Sequence, residues 1–133
     1  MNAPVSFSRL FPGLSPTEID SLRKACTPTF LSAGQRVFNE GDLGDSMCII
    51  ETGSIAIFKT IDQDHERMIA TMQAGAIFGE MSFVDGRRRS AGARAVEDST
   101  VLSLGRPRFE QIAREQPRIA IICFANLASV IAD

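Results

Sequence analysis

Apolar and polar positions change rhythm twice along the chain. Near the start, Ile19 and Leu22 stand three apart in a polar stretch, the spacing of one helix face. Ser15-Pro16-Thr17-Glu18 opens that helix: Ser15 caps it, Pro16 suits its first position, and Glu18 completes a capping box. Arg23 and Lys24 favour its C-terminal end, and Pro28 marks the stop.

From Thr29 to Arg106 short apolar runs alternate with glycine-bearing turns, the texture of strands. The runs are Phe30-Leu31, Arg36-Val37-Phe38, Met47 to Ile50, Ile55 to Phe58, Met68 to Met72, Ala76-Ile77-Phe78, Ala93 to Val96 and Thr100 to Leu104. Asp62-Gln63-Asp64-His65-Glu66 is a polar hairpin tip. Strands at this spacing predict a mainly β domain with flanking helices: an eight-stranded jelly-roll β-barrel with an N-terminal helix and two C-terminal helices. Helical spacing returns at Arg106, with Phe109 and Ile112 buried, and again from Pro117 to Asp133. In that last helix Asn126, Ser129 and Asp133 form one narrow polar stripe. Ile119, Ile122, Phe124, Leu127, Val130 and Ile131 point in too many directions for one neighbour to cover. The expected organisation is one domain, 1–133, with a helical segment at 1–28, a barrel at 29–105 and closing helices at 106–133.

Composition narrows the function. A length of 133 residues fits a single domain, and 44% hydrophobic with 23% charged residues is a globular composition. Fourteen basic against sixteen acidic residues leave a net charge of −2, which argues against nucleic-acid binding by bulk charge. Cys26, Cys48 and Cys123 form no CxxC pair and fall short of four thiolates, so a zinc ribbon, a thioredoxin motif and an iron–sulfur cluster are disfavoured. His65 alone builds no histidine metal centre; it is read as a solvated hairpin residue, and the cysteines as buried small hydrophobes. Met1-Asn2-Ala3-Pro4-Val5 lacks the basic and apolar run of a signal peptide, and the most apolar stretch, Ile119 to Ala132, is too short to span a bilayer. The expectation is a cytoplasmic protein with reduced thiols and no membrane span.

One stretch, 78–91, is built unlike the rest. Phe78-Gly79-Glu80-Met81-Ser82 places a glycine at a strand end, then an acid. Small residues let backbone approach a ligand, and N–H groups in a tight turn form a nest for an anion. The Glu80 carboxylate accepts hydrogen bonds and suits hydroxyl donors such as a ribose. Arg89 offers a planar donor fork that fits phosphate oxygens, and Ser90 and Ala91 are small enough to present their own N–H groups. Acid, arginine and small residues on one loop make a site for a sugar phosphate.

Phe78-Gly79-Glu80-Met81-Ser82 followed by Arg89-Ser90-Ala91 resembles, in residue type and spacing, the phosphate-binding cassette of the cyclic-nucleotide-binding domains. This is the family of the catabolite activators and of the regulatory subunits of cAMP-dependent protein kinase. Gly34, Glu40-Gly41-Asp42, Gly44-Asp45-Ser46, Gly53, Arg94-Ala95 and Leu102-Ser103-Leu104 extend the likeness over nearly the whole chain. The resemblance implies a non-enzymatic sensor whose ligand is cAMP or cGMP, with no other cofactor and no metal. It implies that Glu80 binds the ribose 2′-hydroxyl and Arg89 the exocyclic phosphate oxygens. Gly79, Met81, Ser90 and Ala91 then line the pocket with backbone amides, within a cassette that also holds Phe78 and Ser82. Ile69 and Met72 resemble the apolar wall beside the purine, with ordinary barrel core as the other reading. Arg87 and Arg88 match no ligand position and are expected on a solvated cassette helix.

Two departures stand out. Ala76 follows Gly75 where the family often has Asp, and the chain stops at Asp133. In the bacterial activators the later turns of the final helix contact the purine and the second subunit. No helix-turn-helix follows, so the expectation is no DNA-binding domain in this chain. Output through the C-terminal helix to a homodimer partner or an effector protein is expected instead. The alternative is a degenerate domain of the same fold that serves as a dimerisation or interaction module or senses another ligand. Retention of both Glu80 and Arg89 argues against it.

Overall fold

The two changes of rhythm become three layers. The computed structural model of the protein describes residues 7–132. Expectations that fall on residues 1–6, on Asp133 and on the side chains of Val130 and Ile131 lie outside the described residues. Two helices come first, α1 (Phe7–Leu10) and α2 (Pro16–Ala25). The Ser15 side chain accepts from the Glu18 N–H at 3.2 Å, and Glu18 Oε1 accepts from the Ser15 N–H at 2.8 Å, so α2 opens on the expected capping box. Pro28 does not end this helix. The chain leaves it at Cys26, and Pro28 lies within an edge strand, where a missing N–H is tolerated.

The strands are β1 (Thr27–Leu31), β2 (Arg36–Phe38), β3 (Ser46–Thr52), β4 (Ser54–Asp62), β5 (His65–Gln73), β6 (Ile77–Phe78), β7 (Gly92–Ala95) and β8 (Ser99–Gly105). A short helix, α3 (Glu80–Asp85), lies between β6 and β7, and α4 (Arg106–Glu115) and α5 (Pro117–Ala132) close the chain. The strands form two antiparallel four-stranded sheets, ordered β1-β8-β3-β6 and β2-β7-β4-β5. The fold is mainly β, and its two facing sheets are compatible with a jelly roll without forming one continuous hydrogen-bonded ring.

Side chains alternate along a strand, and the first sheet buries both sets. On β3, Cys48 and Ile50 face the second sheet, while Met47 and Ile49 face the helices. β8 divides in the same way, with Val101 inward and Leu102 and Leu104 toward the helices. This is why Met47 to Ile50 reads as an unbroken apolar run. Ile55, Ala93 and Ala95 complete the inter-sheet core from the second sheet. The helices cover the other face of the first sheet with Leu22, Phe109, Ile119, Cys123 and Leu127, joined by Phe11 just after α1.

The domain covers only part of α5. Ile119, Ala120, Cys123 and Leu127 are buried, and Ile122 is half-buried. Ile121 at 69% exposure, Phe124 at 39%, and Ala125 and Ala128 form an exposed apolar stripe. Ile119 and Leu127 are therefore held by the chain's own core, not left for a partner. All three cysteines are buried free thiols, and His65 is exposed with Nδ1 2.7 Å from Asp62 Oδ1.

Phe109 is 1% exposed and meets Phe83 edge-on at 5.1 Å and Phe124 at 5.2 Å between ring centroids. Phe109→Ala is expected to cost about 3–5 kcal/mol in urea unfolding. Phe30→Ala, on a ring that is 76% exposed, is expected to change stability by no more than about 0.5 kcal/mol.

Candidate functional site

The chain enters the site from β6. Phe78 pairs with Cys48 on β3, and the next residue, Gly79, adopts φ 73°, a left-handed turn that glycine takes without a Cβ clash. Gly79 is also the residue before α3, so the first N–H groups of that helix have no side-chain cap. The helix ends at Gly86, whose N–H donates to the Ser82 carbonyl at 3.0 Å. The next residues lie along the β2–β3 loop. Gly41 N–H donates to the Arg89 carbonyl at 2.7 Å, Arg89 N–H to the Asp42 carbonyl at 2.9 Å, and Arg88 Nη1 to the Gly41 carbonyl at 3.0 Å. Lys59 Nζ on β4 donates to the Ser90 carbonyl.

This folded-back segment encloses a cavity of about 300 Å3. Its walls are Phe38 of β2, Ile57 of β4, Ala70 and Met72 of β5, Ile77 and Phe78 of β6, and residues 79–82 and 87–91. Phe78, Gly79, Glu80, Met81, Ser82, Arg89, Ser90, Ala91 and Met72, all singled out from sequence, meet there.

Ile69 does not meet them, which corrects its assignment to the apolar wall. The β4–β5 register steps from Ile57↔Ala70 to Phe58↔Met68. Ile69 is the unpaired residue of that bulge, is 53% exposed, and does not line the cavity. Ala70 takes the place expected of Ile69, because it shares a face with Met72 two positions on. Ile69 and Met72 stand three apart, and in a regular strand two such residues face opposite sides, so the alternation already told against the pair. Phe38, Ile57 and Ala70 were missed because their membership depends on how distant strands fold together.

Arg87 and Arg88 are exposed as expected, but they follow α3 in the coil beyond Gly86 and do not lie on the helix, and both line the cavity. Arg87 Nε pairs with Asp85 at 2.6 Å. Arg89 differs sharply: it is only 6% exposed, and its Cζ lies 4.3 Å from the centre of the Phe38 ring. Its hydrogen-bond acceptors, on Ser46 and Gly79, are neutral. Among the described residues no carboxylate comes within 4.0 Å of it. Nor does Cys48 supply a counter-charge, since burial pushes its thiol upward despite the attraction of Arg89. The carboxylate of Glu80, a half-buried residue on the same cavity, makes no hydrogen bond or ion pair with the described residues. The cavity thus holds a cation and an anion that do not neutralise one another.

Comparison with known proteins agrees with this geometry. Residues 28–116 match the family model of the cyclic nucleotide-binding domain. The chain belongs to that family. It is 36% identical over 125 residues to the cyclic AMP receptor protein of Thermus thermophilus, a match over 94% of this chain and 56% of that protein. It is 29% identical to the cAMP-dependent protein kinase regulatory subunit of Emericella nidulans, over 77% of this chain and 24% of the subunit. The structure of a cyclic nucleotide-binding domain from Methylobacillus flagellatus superposes with a TM-score of 0.84 at 29% identity, covering 92% of this chain and 68% of that one.

The chain spans about half the length of the bacterial receptor it matches. The family is one of regulatory cyclic-nucleotide binding. Among the described residues no helix is long and apolar enough to cross a membrane.

The domain's two cassette glycines with left-handed backbone offer a controlled test. Gly79 has φ 73° and a Cβ there would lie 2.6 Å from Arg89 Nη1, whereas Gly86 has φ 75° and nothing within 4 Å. Gly86→Ala is expected to lose only the backbone preference, about 1–2 kcal/mol. Gly79→Ala is expected to lose more, because the guanidinium must also move. Urea unfolding of the two variants measures the difference.

Proposed function

We propose that this domain binds a cyclic mononucleotide, cAMP or cGMP, in the cavity beside residues 78–91. The observation that carries the reading is Arg89, a guanidinium 6% exposed with no carboxylate partner among the described residues. Arginine does not shed its proton, and an uncompensated buried cation is costly, so the site is completed by an anion. A cyclic phosphate brings one negative charge with two exocyclic oxygens for Arg89, and its ribose brings a hydroxyl for Glu80. Backbone N–H groups at Gly79, Met81, Ser90 and Ala91 serve the phosphate, and Met72, Ala70 and Phe78 offer the base an apolar wall. Binding needs no further cofactor. The three free thiols support a reducing compartment, the cytoplasm.

Ligand capture draws the cassette inward and repositions the C-terminal helices, signalling to a partner or an attached domain. Contacts for that coupling exist: Arg106 Nη1, at the start of α4, donates to the Phe83 carbonyl at 2.7 Å and the Val84 carbonyl at 3.0 Å. The ligand shifts the helices only by its differential affinity for the two arrangements.

Thermal melts with saturating cAMP or cGMP test the reading. Ligand at about 100 times Kd is expected to add roughly 2.7 kcal/mol to the folded state. No shift with either nucleotide would overturn the sensor function in favour of a degenerate interaction domain. Arg89→Ala is expected to lose about 30-fold to several-thousand-fold in affinity, the cost of breaking a desolvated charge pair. Arg88→Ala, on an exposed and screened side chain, is expected to lose at most about threefold. Equal losses at positions 87, 88 and 89 would mean a mere electrostatic patch.

The exposed stripe on α5 supports an output surface. Ile121, Phe124, Ala125 and Ala128 recur at the spacing of one helix face, and a second copy of the chain carries a self-complementary stripe. Sedimentation across a concentration series is expected to show a monomer–dimer equilibrium that Phe124→Glu abolishes. A monomer at every concentration would overturn the homodimer.

A further inference from the structure

A guanidinium carries five N–H donors in a fixed planar array. At Arg89 three have acceptors within the protein. Nη1 donates to the Ser46 carbonyl at 2.9 Å and to the Gly79 carbonyl at 3.0 Å, and Nη2 donates to Ser46 Oγ at 3.0 Å. Ser46 therefore reaches both terminal nitrogens at once, with its carbonyl on one and its hydroxyl on the other, and spans the end of the group. The donors that remain are the Nε hydrogen and the Nη2 hydrogen beside it. These two are parallel, and together they are the fork that grips two oxygens of one anion.

Two further observations bear on that fork. Among the described residues no fully buried polar side-chain atom lacks a hydrogen-bond partner. Nε has no protein acceptor, so it opens on accessible space. A Cβ placed on Gly44 would lie 2.6 Å from Nε and 2.8 Å from Nη2. Gly44 is not among the glycines with positive φ, so its lack of a side chain answers to the guanidinium beside it, not to the backbone. Neither Gly44 nor Ser46 belongs to the cassette, and Ser46 precedes Arg89 by 43 residues.

We infer that Ser46 and Gly44 are positioning residues for the anion site: Ser46 clamps the end of the Arg89 guanidinium, Gly44 leaves its side edge clear, and the Nε/Nη2 fork is thereby fixed for two oxygens of one phosphate. The inference rests on the cavity being a cyclic-nucleotide site. It adds that affinity is set from the start of β3 as well as from the cassette. Phe38, against the guanidinium at 4.3 Å, completes the setting.

Calorimetric titration with cAMP and cGMP, on the wild-type chain and on Ser46→Ala, Ser46→Thr and Gly44→Ala, tests this. Ser46→Ala is expected to weaken binding on the order of tenfold, the scale of one hydrogen bond to a charged group. Ser46→Thr keeps the hydroxyl on a strand that accepts β-branching, and is expected to return affinity to within about threefold of wild type. Gly44→Ala is expected to lose more than Ser46→Ala. Nitrogen-15 spectra supply a second reading. The Arg89 Nε–H signal, assigned by its loss in Arg89→Lys, is expected to move on nucleotide addition in the wild type. In nucleotide-free Ser46→Ala it is expected to shift or broaden. Should Gly44→Ala fail to fold, the serine pair and the spectra still decide. A wild-type chain that binds neither nucleotide would overturn the reading of the cavity and this inference with it. A wild-type chain that binds, while Ser46→Ala binds equally well or leaves the Nε–H signal unchanged, would overturn this inference alone.

Discussion

Strand β3 is the constraint on which the rest depends. Its residues alternate between two cores: Cys48 and Ile50 fill the space between the sheets, and Met47 and Ile49 fill the space under the helices. A one-residue slip would exchange these sets and leave neither core packed. The same strand pairs with β8 along most of its length and with β6 at Cys48 and Ile49. That pairing fixes where β6 ends, and so where Gly79 turns the chain into α3. Ser46, at the start of β3, holds the Arg89 guanidinium. Core packing and the candidate site thus share one element.

Electrostatics at the cavity follow from what is not paired. Among the described residues five arginines pair with a carboxylate, as Arg23 does with Glu51, Arg36 with Glu66 and Arg118 with Glu18. Those pairs are at least partly exposed and contribute little to stability. Arg89 is buried and has only neutral acceptors, and Glu80 shares its cavity without touching it. A stability-driven arrangement would bring the two together. Their separation leaves a buried guanidinium and a carboxylate facing one space without a direct ion pair between them.

The path from the cavity to the C-terminal helices is short. Phe83 of α3 is fully buried against Phe109 of α4, which in turn meets Phe124 of α5. Arg106 supplies the polar counterpart by accepting the task of a C-terminal cap, donating to two carbonyls near the end of α3. These edge-to-face ring contacts tie α3 to α4 and α4 to α5 within one packed core. The half-exposed Phe124 ends this series at the surface, within the apolar stripe of α5.

Local chemistry made much of this legible in advance. The capping box at Ser15, the strand runs between glycine turns and the two closing helices appear in the structure within a few residues of their expected places. These features depend on backbone propensity and on side-chain period, both of which are local. The cassette was legible for the same reason: Glu80 and Arg89 lie on one short segment whose residue types state their chemistry. What the sequence left undecided is set by contacts between distant segments. The bulge that turns Ile69 outward, the approach of Phe38 and Ala70 to the cavity, and the coverage of Ile119 and Leu127 by the domain's own core all depend on register and packing. So does the burial of Arg89 against Ser46 and Gly44, which three consecutive arginines in a sequence do not distinguish from two solvated neighbours. Sequence determined which groups were available for chemistry; tertiary structure decided which were withdrawn from water and left without a counter-charge, because desolvation belongs to the whole fold and not to any local run of residues.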